Sequence, residues 1–253
     1  MTLVSPLSPV PVLPRADAAE ARPRRVSIVD VDRALVANLD ARELDLAQRY
    51  AGVVRTPVPS GPWDPSSMLG QCGGGLGILI LDGMVSREAS FASGVALEIL
   101  GPEDLIAPSF GPDVRWSAMR PLTVAVLDPT FAQVAARLPG LSAALLGRAH
   151  ARSDRLAVQL AIAALPRVED RLLGLLSLLA ERFGRVGVDG LHLPLPLTHA
   201  VLGLLIGARR PTITLAVSAL RERGALARTE RGGWLLPHPP REDARERELS
   251  QAV

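Results

Sequence analysis

From Pro196 to Leu236 the chain reads PLTHAVLGLLIGARRPTITLAVSALRERGALARTERGGWLL, a run with few ways to fold. Thr198 is a good N-cap for a short helix whose apolar residues Val201, Leu202, Leu205 and Ile206 point inward. Gly207 permits the tight turn that follows. A second helix is predicted from about Arg210 to Arg223, with Pro211 in its first turn, where the missing amide would have no intrahelical partner. Short helix, glycine turn and second helix form the helix-turn-helix order.

At about 100° per residue, Ile213, Ala216, Val217 and Leu220 fall on one side of the second helix and should pack against its neighbours. Pro211, Thr214, Leu215 and Ser218 take the opposite side, with Thr212 flanking. Arginines at the helix start and hydroxyl side chains on its outer face suit a DNA major groove, where arginine pairs with guanine and hydroxyls meet base edges or phosphates. Leu215, odd on an ordinary exposed face, could contact a thymine methyl. The strings ALARTE and GWLL around Arg231, Gly232 and Gly233 read as a two-stranded wing. Six arginines against two glutamates lie between Arg209 and Arg231. That local charge matters because the whole chain carries only +2 and, lacking lysine altogether, holds all its cations as arginine. The candidate DNA-contacting residues are therefore Arg209, Arg210, Thr212, Thr214, Leu215, Ser218, Thr198 and Arg231.

The rest of the chain divides by texture. The segment 1–25 is rich in proline, alanine and arginine and is expected to be a flexible arm without the pattern of a secretory signal. From Val26 to about Tyr50 the pattern is helix-like, and Asp40 followed by Glu43 marks a helix start. From about Val53 to Leu127, short apolar runs (GILILDG, VALEIL, LIAP, RWSAM, TVAVLD) alternate with glycine, proline and aspartate, which predicts a small β-roll.

After Pro139 a long helical stretch places Leu141, Leu145, Ala149, Leu156 and Leu160 at steps of four or seven. This face is longer than one small roll needs and suggests pairing with a second copy through Leu145, Ala149, Leu156 and Leu160; a purely intramolecular core helix is the alternative. Pro166 breaks the helix at a plausible hinge, and a further helix, VEDRLLGLLSLLAERFG, ends at Gly184. The fold class is thus α+β: arm 1–25, roll 26–138, dimerisation helix 139–165, winged helix-turn-helix 166–237 and charged tail 238–253.

Roll, long helix, hinge, helix-turn-helix and wing in this order resemble the Crp/Fnr family of bacterial regulators. The strings LPLPLTHAVLGLLIGARRPTITLAVSALRERG and GGWLL resemble its C-terminal domain, while LDG, LGPEDLIAP and LDPTF resemble its N-terminal domain in order. The resemblance implies a homodimer held by the long helix that binds double-stranded DNA at a near-palindromic operator, with RNA polymerase as a further partner if it activates; a cytoplasmic location is expected from the single cysteine, which fits a reducing compartment. It gives Arg210 the place of an arginine that reads guanine. Many relatives carry a glutamate next and a second arginine one turn later; here Pro211 and Leu215 stand instead, so a different operator is expected.

The family's cyclic-nucleotide pocket needs a Gly-Glu pair, an Arg-Ser or Arg-Thr pair and polar residues on the long helix. Aligned on LGPEDLIAP, these positions fall on Ala107 and Pro108, near Pro112, and on Leu156 and Ala157. A phosphate buried without a cation is costly, so no cAMP or cGMP response is expected unless a shifted Arg115-Trp116-Ser117 restores the site. No cofactor is expected. The single cysteine, Cys72, excludes an internal disulfide and multi-cysteine metal sites; beside three glycines it reads as an inert thiol rather than a redox or haem ligand. His150, His192, His199 and His238 share no metal-ligand spacing. A Walker site is excluded by the absence of lysine. No paired nucleophile and base or paired carboxylates suggest an enzyme, and no apolar run is long enough for a membrane span. The second functional reading is an effector-gated regulator whose roll binds a non-nucleotide small molecule; the third is an interaction module that has lost DNA binding.

Overall fold

The computed structural model describes residues 22–92, 94–107 and 114–238, and the chain forms two compact units that meet at Ala157/Val158. The expected arm up to residue 21 and the tail from 239 lie outside the described residues. In the first unit the order is β1 (Arg24–Ser27), α1 (Ile28–Val31), α2 (Arg33–Val36), α3 (Ala41–Tyr50), β2 (Gly52–Val58), β3 (Gly61–Trp63), α4 (Ser66–Gln71) and β4 (Gly77–Phe91). Then come β5 (Gly94–Leu100), β6 (Leu105–Ile106), β7 (Val114–Leu127), α5 (Pro129–Ala135) and α6 (Pro139–Ala163), which runs across the boundary.

The expected roll is a seven-stranded antiparallel sheet in the order β1-β2-β7-β4-β5, with β3 on β7 and β6 on β4. RWSAM and TVAVLD are halves of one strand, β7. Both faces of the central strands are buried, and side chains alternate between two cores as strand geometry requires. Leu79 and Ala125 turn to a core shared with Ile28, Leu35, Phe131, Leu141 and Leu145. Ile78, Ile80, Val124 and Val126 turn to the roll interior.

The helix expected over 26–50 is instead a strand followed by three helices. Val26 pairs with Val53 in the sheet, so strand pairing overrides the local helical pattern. Asp40 does start α3, its carboxylate accepting from Glu43 N at 2.7 Å. Glu43 does not close the capping box; its Oε1 accepts from the free Gly140 N at 2.8 Å and so caps the start of α6.

Three arginines hold α6 to its own unit. Arg148, Arg152 and Arg155 stand at steps of four and three and form one stripe of the helix. Arg148 Nη2 donates to Asp32 Oδ1 at 2.8 Å. Arg152 grips Glu98 through Nε and Nη2, both at 2.9 Å, and Leu105 O through Nη1 at 2.9 Å. Arg155 pairs with Asp104, which is buried and also accepts from Gly101 N at 2.9 Å. Cys72 is buried as well, its thiol within 3.2 Å of the carbonyls of Met68 and Gly77. Burial pushes this thiol up from its usual range, which disfavours the reactive thiolate.

The second unit contains α7 (Val168–Phe183), β8 (Arg185–Val186), β9 (Gly190–Leu193), α8 (His199–Ile206), α9 (Arg210–Glu222), β10 (Ala227–Arg228) and β11 (Trp234–Pro237). The predicted two-stranded wing belongs to a four-stranded sheet, β10-β11-β9-β8. Its extra hairpin turns through Asp189-Gly190, an Asp-Gly pair in RVGVDGLHL, and carries Leu191 and Leu193 onto β11. No single helix among the described residues is long and apolar enough to cross a membrane.

Replacing Asp104 by alanine leaves the Gly101 amide without its acceptor and the Arg155 guanidinium without its partner. Because Arg155 can regain water, the expected cost is about 2–3 kcal/mol, read as a lowered urea midpoint of the first unit; an unchanged midpoint would contradict this role.

Candidate nucleic-acid interface

Helices α8 and α9 meet at 101°, the angle of a helix-turn-helix. Thr198 caps α8, its hydroxyl accepting from Val201 N at 3.3 Å, and Val201, Leu202, Leu205 and Ile206 are buried. The turn passes through Gly207 at φ 67°, ψ 36°, a left-handed conformation that glycine takes without strain. Ala208 N then donates to Gly203 O at 2.9 Å. This return brings backbone so close that a Cβ on Gly203 would lie 2.4 Å from Ala208 O. Gly207 is legible as a turn residue from the sequence; the signal for Gly203, four residues earlier, is a glycine inside an apolar helical run, which costs helix propensity and needs a packing reason.

Helix α9 divides as its angular pattern requires. Ile213, Ala216, Val217 and Leu220 are buried. Arg209, Arg210, Pro211, Thr212, Thr214, Leu215 and Ser218 are exposed on the outer side. Leu215 is 72% exposed, a large apolar side chain without a partner of its own. Arg209, Arg210, Arg221 and Arg231 have no ion-pair partner among the described residues, so their charge is available to an anion.

Two of the expected contact residues are already engaged. Thr198 spends its oxygen on the helix cap. Thr214 Oγ1 donates to Arg210 O at 3.1 Å and lies 2.9 Å from His199 Nδ1. Its hydroxyl proton is therefore committed inside the protein, while Thr212 and Ser218 stay open to solvent.

The wing turns through Thr229 and Gly232: Gly233 N donates to Thr229 Oγ1 at 2.9 Å, and Gly232 N to Thr229 O at 2.9 Å. Arg231 is exposed at its tip. Arg228 ties the wing down. It donates to Gly232 O at 2.6 Å and Leu197 O at 3.1 Å, and its guanidinium lies 3.6 Å from the centroid of the fully buried Trp234 ring. His199 also lies against Trp234, stacked at a centroid distance of 6.5 Å and an interplanar angle of 27°. A basic residue facing the one tryptophan of the wing was the available signal, but contact across a hairpin depends on register that local spacing does not reveal.

Of the long-helix residues expected to pair with a second copy, Leu145 is buried in the first unit's core. Its neighbour Leu146 is 57% exposed and Leu160 is 72% exposed. With Ala149, Ser153 and Leu156 they fall at steps of three and four, a heptad seam.

Leu146, Ala149 and Leu156 also line a groove of about 670 Å³, together with Leu76, Leu105 and Ala107. Two of the aligned nucleotide positions, Ala107 and Leu156, line it. Arg152 reaches the groove wall, but its guanidinium is already filled by Glu98 and Leu105. Arg115 pairs with Glu88 on the neighbouring strand. Pro108 and Pro112 lie outside the described residues. Among the described residues, no group of three or more His, Cys, Asp or Glu side chains could hold a metal ion.

Residues 167–241 match the family model of the Crp-like helix-turn-helix domain. Over 148 residues the chain is 34% identical to the regulatory protein CysR of Synechococcus elongatus, a match that covers 54% of this chain and 64% of that protein. The match therefore spans slightly less than two thirds of this curated relative. The fold is similar to that of a cyclic nucleotide-binding domain containing protein from Listeria monocytogenes, with a TM-score of 0.61 at 16% identity, covering 78% of this chain and 96% of that one. It is also similar to a CooA mutant from Carboxydothermus hydrogenoformans, with a TM-score of 0.58 at 18% identity, covering 78% and 88%.

The Gly203 contact gives a substitution whose sign is diagnostic. Alanine in a helix ordinarily gains about 1 kcal/mol over glycine. Here the Cβ would meet backbone, so Gly203→Ala should instead destabilise the second unit by about 1–3 kcal/mol. Thermal unfolding checks this, and a raised midpoint would contradict the close approach.

Proposed function

We propose that this chain, a Crp/Fnr-type regulator by its helix-turn-helix domain and its relatives, is a sequence-specific DNA-binding transcription regulator acting as a homodimer on a near-palindromic operator. The observation that carries the reading is the partition of α9, with an apolar side fully buried and a cationic, hydroxyl-bearing side left open. Arg209 and Arg210 reach guanine edges or phosphates, Thr212 and Ser218 make polar contacts, Leu215 meets a thymine methyl, and Arg231 follows the backbone from the wing. Two copies related by a two-fold axis bring their recognition helices into successive major grooves about 34 Å apart.

The homodimer rests on the exposed seam of α6. Two copies pairing through Leu146, Ala149, Leu156 and Leu160 would bury side chains that the single chain leaves in water. RNA polymerase is a partner if the bound protein activates.

The reading includes independence from cAMP and cGMP. The groove at the aligned position is mostly apolar, and the one guanidinium among its lining residues is held by Glu98, which leaves a cyclic phosphate no free cation among them. A second reading, an effector-gated regulator, draws on the same groove, whose lining suits an apolar, non-nucleotide molecule.

Two measurements test the proposal. In a gel-shift assay Arg210→Ala should weaken specific DNA binding by about 1–3 kcal/mol, roughly 5- to 150-fold; unchanged affinity would remove Arg210 from the reading head. In sedimentation velocity, Leu160→Glu should shift a dimer toward monomer, and a dimer equal to the wild type would remove α6 from the interface.

A further inference from the structure

His199 is the first residue of α8 and stands where three elements meet. Its ring stacks on Trp234 of the wing strand, and its Nδ1 lies 2.9 Å from Thr214 Oγ1 on the recognition helix. Thr214 has one hydroxyl proton, and it goes to Arg210 O at 3.1 Å. With that proton on Arg210 O, the oxygen accepts from the ring in the tautomer that carries hydrogen on Nδ1, and in that neutral tautomer Nε2 is a bare lone pair. No described residue hydrogen-bonds to Nε2. A bare lone pair cannot bind a phosphate oxygen; a protonated Nε2 can, as a charge-assisted donor.

The surroundings are cationic. Arg210 faces the ring from α9 and Arg228 from β10, while α8 itself and β11 contribute no other charged group. Burial, then Arg228, then Arg210 hold the imidazole below its usual range, which keeps it neutral near pH 7. A site with two guanidinium groups, a half-buried imidazole and no carboxylate in contact is complementary to an anion. An arriving phosphate offsets the two cations and favours the charged ring, so the group's pKa is higher in the complex than in the free protein.

We propose that His199 is a DNA-phosphate contact made through Nε2 and that DNA binding takes up one proton at this imidazole. The inference rests on the DNA-binding reading above and adds a residue and a proton to it. The linkage gives the sign. Affinity is flat above the pKa of the complex, rises by at most about tenfold per pH unit between the two pKa values, and is flat again below that of the free protein.

The test uses the full chain, a fluorescein-labelled mixed-sequence duplex and anisotropy titrations from about pH 8 to pH 6, with calorimetry in two buffers of different ionisation enthalpy to count protons. The wild type should bind several-fold more tightly at the lower pH and take up protons on binding. His199→Gln can still donate to Thr214 but cannot titrate, so it should lose most of the pH dependence and bind as the wild type does at high pH. His199→Arg, permanently charged, should bind with little pH dependence at the level of the protonated wild type. The proposal is overturned if the Gln variant keeps the wild-type slope, or if binding by the wild type is not accompanied by proton uptake. Absence of binding to any duplex at any pH would instead bring down the DNA-binding reading and this inference with it.

Discussion

The recognition head depends on one close approach of backbone to backbone. Gly203 in the middle of α8 receives the amide of Ala208 after the chain has reversed through Gly207. Only a residue without a Cβ fits there. The contact sets the angle between α8 and α9, and with it which side of α9 is buried. Once Ile213, Ala216, Val217 and Leu220 are fixed inward, Arg210, Thr212, Leu215 and Ser218 face out with no further instruction from the fold. The wing is tied to the same head by Arg228, which bridges Gly232 O, Leu197 O and the Trp234 ring.

The first unit solves a different problem, that of fixing a long helix beside a sheet. Apolar contacts at Leu141 and Leu145 supply burial, and the arginines at 148, 152 and 155 supply direction, since each finds a different acidic partner. Buried ion pairs add little net stability compared with apolar packing, but removing one partner is expensive. Such a ladder therefore sets the register of α6 more than its strength. It also leaves the Arg152 guanidinium fully engaged by Glu98 and the Leu105 carbonyl.

Much of this was legible in the sequence where the information is local. The caps at Thr198 and Asp40, the glycine turn at Gly207 and the two sides of α9 are all set by residues within a few positions of one another. The short strands of the roll were legible for the same reason. What was hidden is what depends on partners far along the chain. Val26 looks helical until Val53 is placed beside it. Leu145 and Leu146 are equivalent apolar residues until the core takes one and leaves the other outside. His199, Thr214 and Trp234 are separated by 15 and 20 positions, and their meeting follows only from the crossing of α8 and α9 and the return of the wing.

The most direct test of the account is selection of bound duplexes from a random-sequence pool by the full chain. The account predicts an inverted repeat whose half-sites are centred about one helical turn, 10–10.5 base pairs, apart. It also predicts that replacing Leu215 by arginine changes the base preference within each half-site. Enrichment of no sequence, or of a motif without two-fold symmetry, would contradict it.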